Sequence, residues 1–252
     1  MLPVALAVLA GLVSAIPAAA QPAASRAAPD PVAVLRAVER NQVYGSIEYE
    51  GSMTIRSGKK TRVKTMKAWS DGKDRAFIEY VNPEDRGTRM LKLGDQLWVY
   101  FPKERDTVRI SGHLLTQGMM GSDVSYRDAM ESDSMLDGYD ARFDREESAG
   151  GRRAWVFELT AKSPEAGYSR RVVWIDAERM VTLKSELYGR SGMALKRTVT
   201  LAVSVIAGRH FPSKVEIVDL IKKDSGTVFE MTSIRLDIPL DESRFSLQAL
   251  SR

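Results

Sequence analysis

From Gly45 onward the sequence keeps a hydrophobic period of two almost to its end, and that period is what most restricts its fold. Ile47, Tyr49, Met53 and Ile55 alternate with Glu48, Glu50, Ser52 and Thr54, the pattern of a strand buried on one face. The same signal predicts strands at residues 62–69, 75–81, 89–93, 96–101 and 105–110. After an interruption it returns at 139–144, 153–161, 170–176, 181–188, 194–205, 213–221 and 226–236. Short turns divide them, among them Ser57-Gly58, Asp71-Gly72, Gly94-Asp95, Gly150-Gly151 and Ser225-Gly226. No alternation of strand and helix accompanies the run. The chain is therefore mainly β, one antiparallel sheet or barrel of about 11–13 strands.

Helical material is scarce. Asp30-Pro31 reads as an N-cap followed by proline at the first helical position, and Val34, Leu35 and Val38 share one face, so a short amphipathic helix is expected over 31–43. Between Ser111 and Gly138 the alternation stops, and Leu114, Leu115, Met119, Met120, Met130, Met135 and Leu136 stand among Gly, Ser and Asp. This segment reads as short helices and loops interrupting the sheet.

Alternation also sorts the faces. Trp155, Phe157 and Leu159 point one way while Val156, Glu158 and Thr160 point the other, which predicts one apolar face and one wet face. Arg62, Lys64, Arg170 and Arg171 are assigned mostly to the wet face. The two helical segments are too short to seal so wide an apolar sheet tightly, so either the sheet curls to close on itself or it leaves an apolar cavity under the helices. Its expected wall is Ile47, Tyr49, Met53, Ile55, Ile78, Trp98, Trp155, Phe157 and Leu183. Its expected lid is Leu114, Leu115, Met119 and Met120, with Gly112, Gly118 and Gly121 as hinges. Methionine suits such a lid because its flexible, polarisable side chain repacks around variable ligands.

Composition removes most chemistry. With Cys 0 there is no disulfide framework, thiol catalysis or cysteine-held metal, and His 2 leaves little for a histidine site. His113 and His210 stand far apart, neither in a nucleophile nor a zinc motif, so the chain reads as a non-enzyme without a cofactor. The acidic run Asp123, Asp128, Glu131, Asp133, Asp137 and Asp140 lacks the order of a calcium loop and reads as solvated, helix-capping carboxylates. A net charge of +4 is too small for the basic footprint of a nucleic-acid binder.

Residues 1–20 carry an uncharged apolar run ending in Ala18-Ala19-Ala20 and read as a secretory signal peptide cleaved after Ala20. The run is shorter than the about 20 residues of a membrane span. A flexible linker over 21–30 and one domain over 31–252 complete the expected organisation, and the mature chain is expected in the periplasm.

The run RGTRMLKLGDQLWVYFPK beginning at Arg86, with ERDTVRIS after it and MMGSDVSYRDAM from Met119, resembles bacterial outer-membrane lipoprotein-sorting proteins, relatives of the periplasmic Lol carriers. The likeness extends from about Leu35 to the end. It implies an unclosed antiparallel β-barrel, a half-barrel with short helices forming a lid over an apolar cavity for acyl chains of lipids or lipoproteins. A minority of Arg62, Lys64, Arg170 and Arg171, at its mouth, is then available to lipid phosphates. It also implies exchange with envelope partners, an inner-membrane exporter of the resistance-nodulation-division type or an outer-membrane acceptor, by a monomeric carrier. Two rivals remain at this stage: an envelope sensor domain that binds mislocalised lipid and signals to a membrane partner, and a structural envelope protein that holds nothing.

Overall fold

The structure, a computed structural model, describes residues 27–72, 74–131 and 134–251. The expected signal peptide, most of the linker and Asp133 lie outside them.

Helix α1 (Pro31–Gln42) begins where the sequence places it. The Asp30 carboxylate accepts the Val32 amide at 3.1 Å, and Val34, Leu35 and Val38 form the buried face. Thirteen strands follow: β1 (Ile47–Ser57), β2 (Lys60–Ser70), β3 (Arg75–Tyr80), β4 (Arg89–Leu93), β5 (Gln96–Phe101) and β6 (Asp106–Ile110). After the interruption come β7 (Tyr139–Ala149), β8 (Arg152–Ala161), β9 (Arg170–Asp176) and β10 (Thr182–Tyr188), then β11 (Ala194–Ile206), β12 (Arg209–Asp219) and β13 (Ser225–Leu236). All pair antiparallel in one sheet ordered β6-β5-β4-β3-β2-β1-β13-β12-β11-β10-β9-β8-β7. Every neighbour is a sequence neighbour except β1 and β13, which pair from Ile47↔Leu236 to Ser57↔Ser225 with a bulge between Glu48 and Glu50. The sheet is not closed into a barrel, and its two edges are β6 and β7.

Following the register from strand to strand places Ile55, Thr227, Ile217, Thr198, Ser185, Val173, Phe157 and Phe143 in one row on one face. Segment 111–138 and α1 pack against this face, called here the inner face. Segment 111–138 comprises two 3₁₀ turns (Gly112–Thr116 and Met119–Gly121), α2 (Tyr126–Met130) and α3 (Met135–Gly138).

The outer face is not uniformly wet, contrary to the sequence expectation. Trp69, Phe77 and Leu91 are buried there beneath Phe245 and Leu250, the latter on α4 (Leu247–Leu250). Trp98 and Tyr100 pack against the same cluster. Arg244 stacks over the Trp69 ring at 3.9 Å, and Arg75 donates to Glu242 at 2.6 Å. On β8–β10, Val156, Val172 and Trp174 form a second outer cluster with Leu183 beside it. The C-terminal segment thus covers strands that carry apolar residues on both faces, a cover that periodicity could not reveal because the segment itself is too short to show a period.

Replacing fully buried Leu250 by alanine is expected to cost about 2–5 kcal/mol and to uncover Trp69 and Phe77. Denaturant unfolding together with binding of an apolar-surface dye checks both effects.

Candidate functional site

The inner face carries two separate apolar clusters. One lies on β1–β6, where Met53, Ile55, Met66, Tyr80, Met90, Leu97 and Val99 are buried with Met119 and Tyr126 of segment 111–138. Ile78, Leu114, Leu115, Met120, Met130 and Phe229 pack against it. The other lies on β7–β9, where Phe157, Leu159, Val173 and Ile175 are buried against Val34, Leu35 and Val38 of α1, with Trp155 and Phe143 alongside. Between them, on β10–β13, Ser185, Thr198, Thr200, Val215, Ile217, Phe229 and Met231 are only half-buried. The inner face is therefore covered at both ends, and in the middle Leu187, Lys196 and Thr227 are buried while the rest is only partly covered.

The structure divides the expected wall. Met53, Ile55 and Ile78 meet all four expected lid residues, Leu114, Leu115, Met119 and Met120, in the first cluster. Trp155 and Phe157 belong to the second, with Phe157 edge-on to Phe143 at 5.7 Å. Tyr49 stands edge-on to Phe229 at 6.2 Å, and Ile47 is buried on the same strand face. Trp98 and Leu183 are not in the site. Trp98 alternates against Leu97 and Val99, and Leu183 packs with the outer cluster around Val156 and Trp174, so both project from the outer face.

Nor does the site stand open. Met119 is 5% exposed and Tyr126 is 8% exposed, so the lid's own side chains occupy the concavity. Two surface hollows, of about 450 and 490 Å³, lie elsewhere: one beside Ser46, Asp71 and Ile238, the other beside Glu48, Lys67 and Arg235. Of the expected wall only Tyr49 touches either.

Segment 111–138 runs from one sheet edge to the other and acts as a strap. Its tightest point is a loop in which Met119 donates to the Val124 carbonyl at 2.7 Å and Tyr126 to that of Gln117 at 3.0 Å. A Cβ on Gly118 would sit 2.1 Å from the Ser122 carbonyl oxygen, so only glycine fits there. Gly121 (φ 79°) and Met120 (φ 52°) complete the turn in left-handed backbone. Ser125 then caps α2 reciprocally: its hydroxyl accepts the Asp128 amide at 3.1 Å, and Asp128 accepts the Ser125 amide at 2.9 Å.

Polar contacts fasten the strap to the middle of the sheet. Asp128 pairs with Lys196 of β11 and accepts the Tyr168 hydroxyl at 2.7 Å. Glu131 pairs with Arg171 of β9, whose guanidinium stacks over Tyr139 at 4.5 Å. Asp123 donates its amide to Thr227 of β13 at 2.9 Å, and its carboxylate meets Lys222 at 3.4 Å. The acidic run is thus partly a set of latches rather than solvated caps. Burial alone would raise the Asp128 carboxyl, but the Lys196 ammonium and the hydrogen bonds from Lys196, Ser125 and Tyr168 outweigh it and hold it below the ordinary value. Tyr168 is pushed up by its burial and by the Asp128 charge.

One cation that receives a latch, Arg171, lies on the inner face rather than the wet face expected from sequence, and so do Lys64 and Arg62. Arg171 shares its parity with Val173 and Ile175, Lys64 with Met66 and Ala68, and Arg62 pairs with Ile55, so all three point inward. Lys64 is 5% exposed and is held by Asp85 at 2.5 Å. Lys196, which the sequence reading did not single out, is 8% exposed. Arg170 does face outward, over the Tyr188 ring at 3.7 Å. Among the described residues no group of three His, Asp or Glu is placed to hold a metal ion, and no helix is long and apolar enough to cross a membrane.

A family model described as "Uncharacterized protein" matches residues 72–252, well over half of the chain. The chain belongs to that family. Three solved structures share the fold of this chain. A DUF1329 family protein from Desulfovibrio piger ATCC 29098 is 27% identical, with a TM-score of 0.79 over 88% of this chain and 100% of its own. An outer membrane lipoprotein-sorting protein domain from Vibrio parahaemolyticus is 20% identical, with a TM-score of 0.78 over 88% of this chain and 98% of its own. A LolA superfamily protein from Nitrosomonas europaea is 20% identical, with a TM-score of 0.72 over 88% of this chain and 100% of its own. No curated protein matches significantly.

Asp128 supplies the strap's pH dependence. Because its folded-state pKa is lowered, its contribution is complete above the unfolded value of about 4 and is lost as pH falls through the folded value. Hydrogen-exchange protection of residues 111–138 should hold from pH 7 to about 4 and drop beneath it. Asp128→Asn should show the reduced protection at neutral pH as well.

Proposed function

We propose that this chain is a periplasmic carrier that takes up the acyl chains of a lipid or lipoprotein beneath the strap and passes them between envelope components. Residues 31–252 act as one unit in this reading, monomeric and without catalysis. The observation that supports it most is the composition of the strap's underside: Met119, Tyr126, Leu114, Leu115 and Met130 fill the concavity over β1–β6. These are side chains that a lipid tail can replace with little loss of apolar contact.

The exchange is energetically balanced. An acyl chain of about 14–16 carbons gains on the order of 10 kcal/mol when its methylenes leave water, at about 0.8 kcal/mol each. Part of that gain is spent in lifting the strap, which exposes its own apolar underside and breaks its latches. The remainder is enough to hold a lipid in water and small enough for a partner to remove it. The half-buried strip over β10–β13 gives the tail a route from the first cluster toward the second, with Tyr49 and Phe229 at its start. Candidate partners are an inner-membrane exporter of the resistance-nodulation-division type on the donor side and an outer-membrane acceptor.

Native mass spectrometry of the exported chain mixed with a 14-carbon lysophospholipid tests the reading. The expected result is a 1:1 adduct, accompanied by faster amide exchange across residues 111–138. A chain that gains no mass and keeps its strap protected holds no lipid.

A further inference from the structure

Resting on the carrier reading, we infer that the cargo is an anionic amphiphile whose charged headgroup takes the place of the strap carboxylates Asp128 and Glu131 on Lys196 and Arg171. Lys196 and Arg171 lie on the inner face in one row, two strands apart, with Leu187 between them. Their side chains are only 10% and 12% exposed. Such buried cations are costly unless paired, and among the described residues each is paired with a carboxylate across the gap on the strap, Lys196 with Asp128 and Arg171 with Glu131.

Consider what lifting the strap does. The tail-like side chains Met119, Tyr126 and Met130 leave the apolar cluster, and Asp128 and Glu131 leave the two cations in the same movement, because all five belong to one short segment. The vacated surface is an apolar floor with two positive charges at its side. The strap therefore already has the chemistry of an amphiphile bearing a negative head, and the best replacement has the same order of parts. A neutral amphiphile would fill the floor but strand both cations.

A second observation points the same way. The Arg171 Nε is buried without a hydrogen-bond partner. Glu131 accepts from Nη2 of the guanidinium, so among the described residues the buried Nε donor is left unsatisfied in the closed form. A phosphate or carboxylate head with several acceptor oxygens can engage both edges of the guanidinium. Around it, Tyr168 and Tyr139 lie within 5.5 and 4.5 Å of the guanidinium carbon and fix its plane, while Ser185 and Thr198 supply neutral polar neighbours on the same face.

The test compares four probes: 1-myristoyl-lysophosphatidylglycerol, myristate, uncharged monomyristoylglycerol and inorganic phosphate, each titrated into the exported chain by native mass spectrometry and calorimetry. The two anionic amphiphiles should bind about tenfold or more tighter than the glyceride, the return from charge-assisted hydrogen bonds, and phosphate alone should be far weaker. A higher affinity for the lysolipid than for myristate assigns a phosphate head, the reverse a carboxylate. Two variants move the ratio in opposite directions, which unfolding could not do: Lys196→Met with Arg171→Met should collapse it toward one, and Asp128→Asn with Glu131→Gln should raise it. Equal binding of glyceride and anionic lipids overturns this inference and leaves the carrier reading intact. Binding of none of the amphiphiles overturns both.

Discussion

The pairing of β1 with β13 governs everything else in this molecule. It joins the first strand to the last in the middle of the sheet, so the free edges fall at β6 and β7, which are consecutive in sequence. The chain between them must therefore travel across the mouth of the half-barrel. A strap over the concave face is not an added decoration but the shortest way to connect two edges of an unclosed sheet. Once it lies there, its apolar residues have one place to go, and Met119 and Tyr126 go there.

Because that strap is loop-like, it is held by contacts that differ in kind from those of the sheet. The strands are tied by continuous ladders. The strap is tied by its packed underside, by the Asp123 amide on Thr227 of β13, and by two acidic latches, Asp128 and Glu131, that reach β11 and β9. Few backbone hydrogen bonds join it to the sheet, so it can open without disturbing the ladders, as low-stability segments near binding sites commonly do. Gly118 matters for the same reason: it lets the loop fold back on itself closely enough to present Met119 downward.

How much of this was legible in the sequence follows from what alternation can and cannot report. The strands, the cap of α1 and the interruption at 111–138 were readable because each has its own local signature. Met53, Ile55, Ile78 and the four expected lid residues, chosen by the same alternation and by its interruption, pack in one cluster. Trp98 lies outside because its phase against Leu97 and Val99 turns it outward, and Leu183 because an irregularity between Thr182 and Lys184 breaks the alternation that would have placed it with Ser185 and Leu187. The buried cations were missed for a different reason. Arg171 and Lys64 were assigned to the wet face by charge, although their phase with Val173 and Met66 places them inside. The cover over Trp69 and Phe77 depends on the C-terminal segment folding back over β3–β5, a tertiary contact that no local pattern carries.

Carriage beneath the strap requires that the strap leave the concavity when cargo enters. The chain has no native cysteine, so spin labels can be placed cleanly at Gln117→Cys on the strap and Thr232→Cys on β13, both exposed positions. Pulsed electron resonance then reads the distance between them with and without a 14-carbon anionic lysolipid. A longer-distance population that grows in step with lipid occupancy is the predicted result. A single distribution that stays unchanged while lipid is bound would contradict the account.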